Sequence, residues 1–173
     1  GRYVSCDYGT QNATVFLLWN KGTDGVWYCI REYYYSGRTE GKQKTDSEYA
    51  DDLESWLEGT KIKGIIVDPS AASFIAELRK RGYKVVKAKN NVEDGIRVVG
   101  TKLNQEAIIF ADSCVNTIQE FGSYIWDEAA AAHGEDRPVK EHDHAMDALR
   151  YFVYTILNNQ TAIIRSKRKA GFH

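Results

Sequence analysis

The chain has 173 residues, with 23 Lys and Arg against 24 Asp and Glu, for a formal charge of −1. That balance excludes a uniform polycation or polyanion, but it leaves local charge separation open. Apolar residues at 43% and aromatics at 12% suit one domain core rather than two. No apolar run reaches the roughly 18 residues that a membrane helix needs.

Gly1-Arg2-Tyr3 leads straight into a strand-like run, unlike a signal peptide, and there is no initiator Met. The sequence therefore reads as a piece of a longer protein. Residues 2–8 alternate and then run apolar, which predicts a strand ending near Asp7. Residues 13–19 form a second β-type run. Residues 20–25 are rich in turn formers and predict a hairpin into a third strand over 26–35.

From Thr45 the period changes. Tyr49, Leu53, Trp56 and Leu57 recur at helical spacing, and Gly59 ends the helix. Residues 62–67 predict a buried strand that ends in Asp68-Pro69-Ser70. A helix follows over about 71–81 and stops at Gly82, then a short strand over 83–88. Asn91 or a neighbour caps a helix to about 103, and 107–111 is a strand. Two helices, over about 112–131 and 143–158, close the domain, joined by a polar loop with Pro138. The predicted division is a domain over 1–160 and a basic tail over 161–173, with Arg165, Lys167, Arg168 and Lys169 and no acid.

Three antiparallel strands followed by alternating helix and strand predict an α/β fold with a mixed central sheet flanked by helices. The ribonuclease H-like arrangement has this order of elements, and other mixed α/β folds stay open on order alone. Cysteines 6, 29 and 114 are odd in number and stand in apolar contexts. They read as buried reduced thiols, with no paired spacing for zinc.

Asp7 and Asp68 end strands, and Asp147 lies in the first turn of the last helix. Ligand sites in open α/β sheets gather at strand ends. Clustered carboxylates repel unless a cation holds them, and Mg²⁺ or Mn²⁺ prefers oxygen ligands. Each aspartate also has a plainer reading as turn chemistry or a helix cap. His144 and Asp147 are three residues apart and share a helix face. His144 has three open roles: metal ligand, general acid, or phosphate-orienting group. Asp143 is expected to be the N-cap.

These residues resemble the nuclease domain of tailed-phage large terminase subunits. The resemblance is carried by Asp7 in SCDYGT, Asp68 in IIVDPSA and the run DHAMDALRY from Asp143 to Tyr151. Glu93-Asp94-Gly95-Ile96 and Pro138-Val139-Lys140-Glu141 also look like family features. The resemblance covers about residues 3–155 and is nearest to headful-packaging phages such as SPP1. It implies a ribonuclease H-like fold and two divalent ions, Mg²⁺ or Mn²⁺. Asp7, Asp68 and Asp147 would be the metal ligands and catalytic acids, with His144 as a further catalytic residue. It also implies a metal-dependent endonuclease cutting double-stranded DNA during genome packaging in the host cytoplasm. The implied partners are an N-terminal packaging ATPase of the same parent chain, the portal and the small terminase subunit, with no membrane.

Charge is unevenly spread. Residues 46–58 carry six acids and no base, whereas 79–89 carry six bases and no acid. Arg79, Lys84, Lys87 and Lys89 are candidate phosphate contacts; the plainer reading is a solvated surface. Residues 37–43 fail as a P-loop, because the glycines are too close and Gln43 replaces the Ser or Thr. Asp7-Tyr8-Gly9-Thr10 resembles a sugar-kinase phosphate loop, but such proteins need about twice this length. A Holliday-junction resolvase or transposase-type nuclease, and a non-catalytic docking module, remain as alternatives. The segment near 133–142 is a candidate gate.

Overall fold

The structure, a computed structural model, describes residues 1–9, 12–132 and 143–158, with the side chains of 124–132 excepted. The expected basic tail, the candidate gate near 133–142, the Pro138 feature and the domain limit at 160 lie outside the described residues.

Among the described residues, six strands form one sheet: β1 (Arg2–Asp7), β2 (Ala13–Lys21), β3 (Trp27–Ser36), β4 (Gly64–Val67), β5 (Val85–Lys87) and β6 (Ile108–Phe110). Their order is β5-β4-β1-β2-β3-β6. The β1–β2 and β2–β3 pairs are antiparallel, while β1–β4, β4–β5 and β3–β6 are parallel. The helices are α1 (Gly37–Glu40), α2 (Asp46–Leu57), α3 (Ala72–Lys80), α4 (Val92–Asn104), α5 (Val115–Ala132) and α6 (His144–Phe152). A π-helical turn, Val153–Leu157, continues α6. The expected mixed sheet, strand count and five longer helices are all present. The one-turn α1 was not foreseen.

The helix ends follow local chemistry. The Thr45 hydroxyl accepts from the Glu48 amide, and the Glu48 carboxylate answers to the Thr45 amide, a capping box that starts α2. Asn91 caps α4 by accepting from the Asp94 amide at 2.9 Å. Gly82, at φ 92°, allows the chain to leave α3 as its position predicted.

Side-chain alternation divides the core into two layers. Val4, Cys6, Phe16, Leu18, Ile65 and Val67 meet α2 and α3 on one face. Val15, Leu17, Trp19, Trp27, Cys29 and Ile66 meet α6 and its neighbours on the other. The Phe152 ring stacks on Trp19 at 4.3 Å between centroids, anchoring the end of α6. The β2–β3 register slips between Leu18 and Trp19, so that Cys29 pairs with Trp19 and Arg31 with Leu18. Ile30 is the extra residue of a β-bulge. Odd-numbered residues of β3 before it and even-numbered residues after it therefore face the α6 side. That is how Cys29, Glu32 and Tyr34 share one face.

The acidic helix α2 is not a bare negative surface. Arg81 pairs with Asp51, Glu54 and Glu77, Lys44 with Asp52, and Lys42 with Glu48. Arg81 belongs to the basic run at 79–89, yet it is taken up by this cluster. Cys6, Cys29 and Cys114 are buried and unbridged, with the Cys29 and Cys114 sulfurs 3.8 Å apart. No helix among the described residues is long and apolar enough to cross a membrane.

Candidate metal centre

Three elements meet at the carboxyl ends of β1 and β4. In β1, Tyr3, Ser5 and Asp7 alternate away from Val4 and Cys6, so Asp7 faces α6. In β4 the same alternation puts Asp68, just past Val67, on that side. These strands are parallel neighbours, so their ends coincide. The first turn of α6 brings His144 and Asp147 over them.

Asp7, His144 and Asp147 each offer a ligand atom, and these atoms all lie within 4.8 Å of one another. His144 Nδ1 is 2.9 Å from Asp7 Oδ2. Asp68 stands outside this trio. Its Oδ1 accepts from the Ser70 amide at 2.8 Å and its Oδ2 from Asn90 Nδ2 at 3.1 Å. Half of that carboxylate thus does the turn work of the plainer reading, and the other half is held toward α4.

Electrostatics mark the same place. Burial, followed by the charges of Asp7 and Asp143, pushes the Asp147 carboxyl up to about 6, against the pull of Arg150. Burial also raises Asp7, against the His144 hydrogen bond. The bond to Asp7 raises His144, against burial. Asp68 is lowered: burial opposes ionisation, but bonds from Ser70, Asn90 and Tyr151 outweigh it. Tyr151 is raised by burial and then by the charges of Asp7, Asp147 and Asp68.

Asp143 occupies the N-cap position of α6, but its side chain makes no capping bond. The expected position holds, and the expected side-chain bond does not form. The cap comes from α5, where Glu120 Oε2 accepts from the Ala145 amide at 2.8 Å and the Met146 amide at 3.2 Å. Tyr34 donates to the other oxygen at 3.2 Å. Burial pushes Glu120 up to about 7, although the two amides draw it down. In turn Glu32 of β3 caps α5, accepting from the amides of Asn116 at 2.7 Å and Thr117 at 3.1 Å. A sheet carboxylate fixes α5, and an α5 carboxylate fixes α6. The sequence holds no local sign of either cap, because each donor and acceptor lie on different elements.

Arg150 donates to Asp147 Oδ1 at 3.1 Å and to the Asn90 carbonyl at 2.8 Å. Its stem lies on Gly95 of α4. The four candidate DNA contacts are all exposed, but they do not share one end of the sheet. Lys87 pairs with Val67 at the end of the sheet that carries Asp68, and Lys89 follows it in sequence. Lys84 precedes β5 and Arg79 ends α3, at the opposite end of these strands.

The residue types suit divalent cations, since two largely buried aspartates and an imidazole converge, with a third aspartate at the adjoining strand end, and Arg150 is the one guanidinium bonded to them among the described residues. The strand order and the acids at adjoining strand ends under a helix-borne acid define a ribonuclease H-like domain. No protein-family model matches the chain. By similarity the chain is a homologue of bacteriophage large terminase subunits and has the fold of their nuclease domain. It is 59% identical to the large terminase of a thermophilic bacteriophage, solved in complex with ADP, at a TM-score of 0.81; the match covers 90% of this chain and 39% of that one. It is 27% identical over 157 residues to the terminase large subunit of Escherichia phage T5, covering 88% of this chain and 34% of that protein. The nuclease domain of the SPP1 large terminase, solved with bound Mn, shares the fold at 18% identity and a TM-score of 0.56, covering 87% of this chain and 84% of that one. This chain thus spans between a third and two fifths of the thermophilic-phage and T5 proteins.

Proposed function

We propose that this domain is a divalent-metal-dependent endonuclease that cuts double-stranded viral DNA during genome packaging, with little sequence preference. The observation that carries the reading is the convergence of Asp7, His144 and Asp147 within 4.8 Å at the end of the sheet. The similarity to phage large terminases supports it.

Asp7, Asp68 and Asp147 would hold two ions, Mg²⁺ or Mn²⁺, with His144 beside them. When bound, such a pair supplies a water of lowered pKa and offsets charge on the leaving 3′ oxygen. Asp7 keeps the His144 ring oriented through Nδ1, leaving Nε2 to carry a proton or meet a phosphate oxygen. Glu120 fixes the start of α6 and so the aim of both His144 and Asp147. Lys87 and Lys89 would receive duplex phosphates at the same end of the sheet as the site, without reading bases. The parent protein would also carry a packaging ATPase, a reading supported by the thermophilic-phage relative solved with ADP. Portal and small terminase subunit would be further partners, in the host cytoplasm.

The test is plasmid cleavage by the purified domain in Mn²⁺ or Mg²⁺. EDTA should abolish cutting. Asp7→Ala and Asp147→Ala should each lower the rate by about 100-fold or more, and His144→Ala by less than Asp147→Ala. Full activity in Asp147→Ala protein would overturn the proposal. A preference for four-way junctions over linear duplex would point instead to a resolvase.

A further inference from the structure

Asp147 comes from α6 and Asp68 from the end of β4. A path of three hydrogen bonds joins them. Arg150 Nη2 donates to Asp147 Oδ1 at 3.1 Å, Arg150 Nη1 to the Asn90 carbonyl at 2.8 Å, and Asn90 Nδ2 to Asp68 Oδ2 at 3.1 Å. Arg150 is only 7% exposed. Its guanidinium is a rigid planar fork, so two donors at a fixed angle tie Asp147 to the backbone of the loop before α4. The Asn90 side chain carries the same tie to Asp68.

Position 95 gives an independent sign. It lies inside α4, where glycine is the poorest helix former after proline. A Cβ there would lie 2.6 Å from Arg150 Cγ and 2.8 Å from Cδ. Those are stem atoms of a buried arginine, bonded at its far end to both Asp147 and Asn90. They cannot give way without moving the fork. Glycine at 95 is therefore explained by Arg150 and by nothing in α4 itself.

We propose that Gly95, Arg150 and Asn90 form a clasp that sets the spacing of Asp147 and Asp68 and thereby the affinity of the site for divalent cations. All three are positioning residues, and the inference rests on the metal-centre reading above. Asp147 keeps its second oxygen outside the clasp, available to a cation.

The test is Mn²⁺ binding by calorimetry, without DNA, on the wild type, Gly95→Ala, Asn90→Ala, Arg150→Ala and the Gly95→Ala/Arg150→Ala double variant. Thermal unfolding is followed alongside. Gly95→Ala should weaken Mn²⁺ binding about 10- to 100-fold, the range for groups that orient ligands, while its unfolding midpoint stays near wild type. Asn90→Ala leaves the Arg150–Asp147 bond in place and should weaken binding by less. In the Arg150→Ala background, Gly95→Ala should have no further effect, because it acts through the arginine stem. Wild-type affinity in both Gly95→Ala and Asn90→Ala would overturn the clasp, as would additive losses in the double variant. If the wild type itself binds no Mn²⁺, the metal-centre reading fails, an outcome distinct from failure of the clasp.

Discussion

Glu120 holds the start of α6, its Oε2 lying 2.8 Å from the amide nitrogen of Ala145. A helix whose first amides are buried needs an acceptor there, and here it comes from another helix. Glu120→Ala strands the amides of Ala145 and Met146 and the Tyr34 hydroxyl. The expected loss is about 1–3 kcal/mol in urea unfolding. Glu120→Gln keeps a carbonyl acceptor and should lose less. Equal losses in the two variants would show that capping is not the role.

The same carboxylate gives the metal-free domain a pH signature. Its folded pKa is raised from 4.5 to about 7, so the folded state binds a proton that the unfolded state releases. Its stabilising contribution is complete below about 4.5 and is lost as pH rises through about 7. Asp147, raised from 3.8 to about 6, acts in the same direction over a lower window. In EDTA, unfolding midpoints should therefore be higher at pH 5 than at pH 8. In Glu120→Gln the slope between 4.5 and 7 should become shallower, leaving the part that Asp147, Asp7 and His144 contribute.

Asp147→Asn separates stability from activity. Burial and two neighbouring acids make the Asp147 charge costly without a metal. Asparagine mimics the neutral acid, so the variant at pH 8 in EDTA should be more stable by on the order of 1 kcal/mol. Added Mn²⁺ should stabilise the wild type and not the variant, since a ligand that binds only the folded state raises its stability. A less stable variant in EDTA would mean that the Arg150 pairing outweighs the repulsion.

The four basic candidates should separate by position. Lys87→Gln with Lys89→Gln should weaken duplex binding and flatten its salt dependence by about two units of slope, the effect of two lost phosphate contacts. Arg79→Gln with Lys84→Gln, at the far end of the strands, should change the slope little. Fluorescence titration of a short duplex across a salt series decides between these results.

Much of this was legible in the sequence, for identifiable reasons. Asp7 and Asp68 could be found because strand ends are marked by local chemistry, and alternation tells which face each one takes. Asn91 and Gly82 act within their own turns and were read correctly. Asp143 stands at the N-cap position as read, but its side chain makes no cap, because a capping residue type there says nothing about a rival acceptor arriving from α5. Glu32 and Glu120 look like ordinary solvated acids in their own elements, and only the packing of β3, α5 and α6 gives them work. Charge counting likewise assigned Arg81 to a basic run, although it is occupied by the acids of α2 and by Glu77. Gly95 did leave a trace. A glycine inside a helical pattern asks for a close neighbour, though the sequence alone cannot say that the neighbour is Arg150.

Ile30 has no partner in the β2–β3 register, while Cys29 and Arg31 stand opposite consecutive residues of β2. Removing Ile30 would leave every neighbour facing the residue it faces now. A relative lacking it would therefore align with a gap in mid-strand, where gaps are ordinarily taken as alignment errors. Correct correspondence along this strand requires that gap to be kept. Without it, Glu32 and Tyr34, which hold α5 and Glu120, would be matched to residues on the opposite face of the sheet.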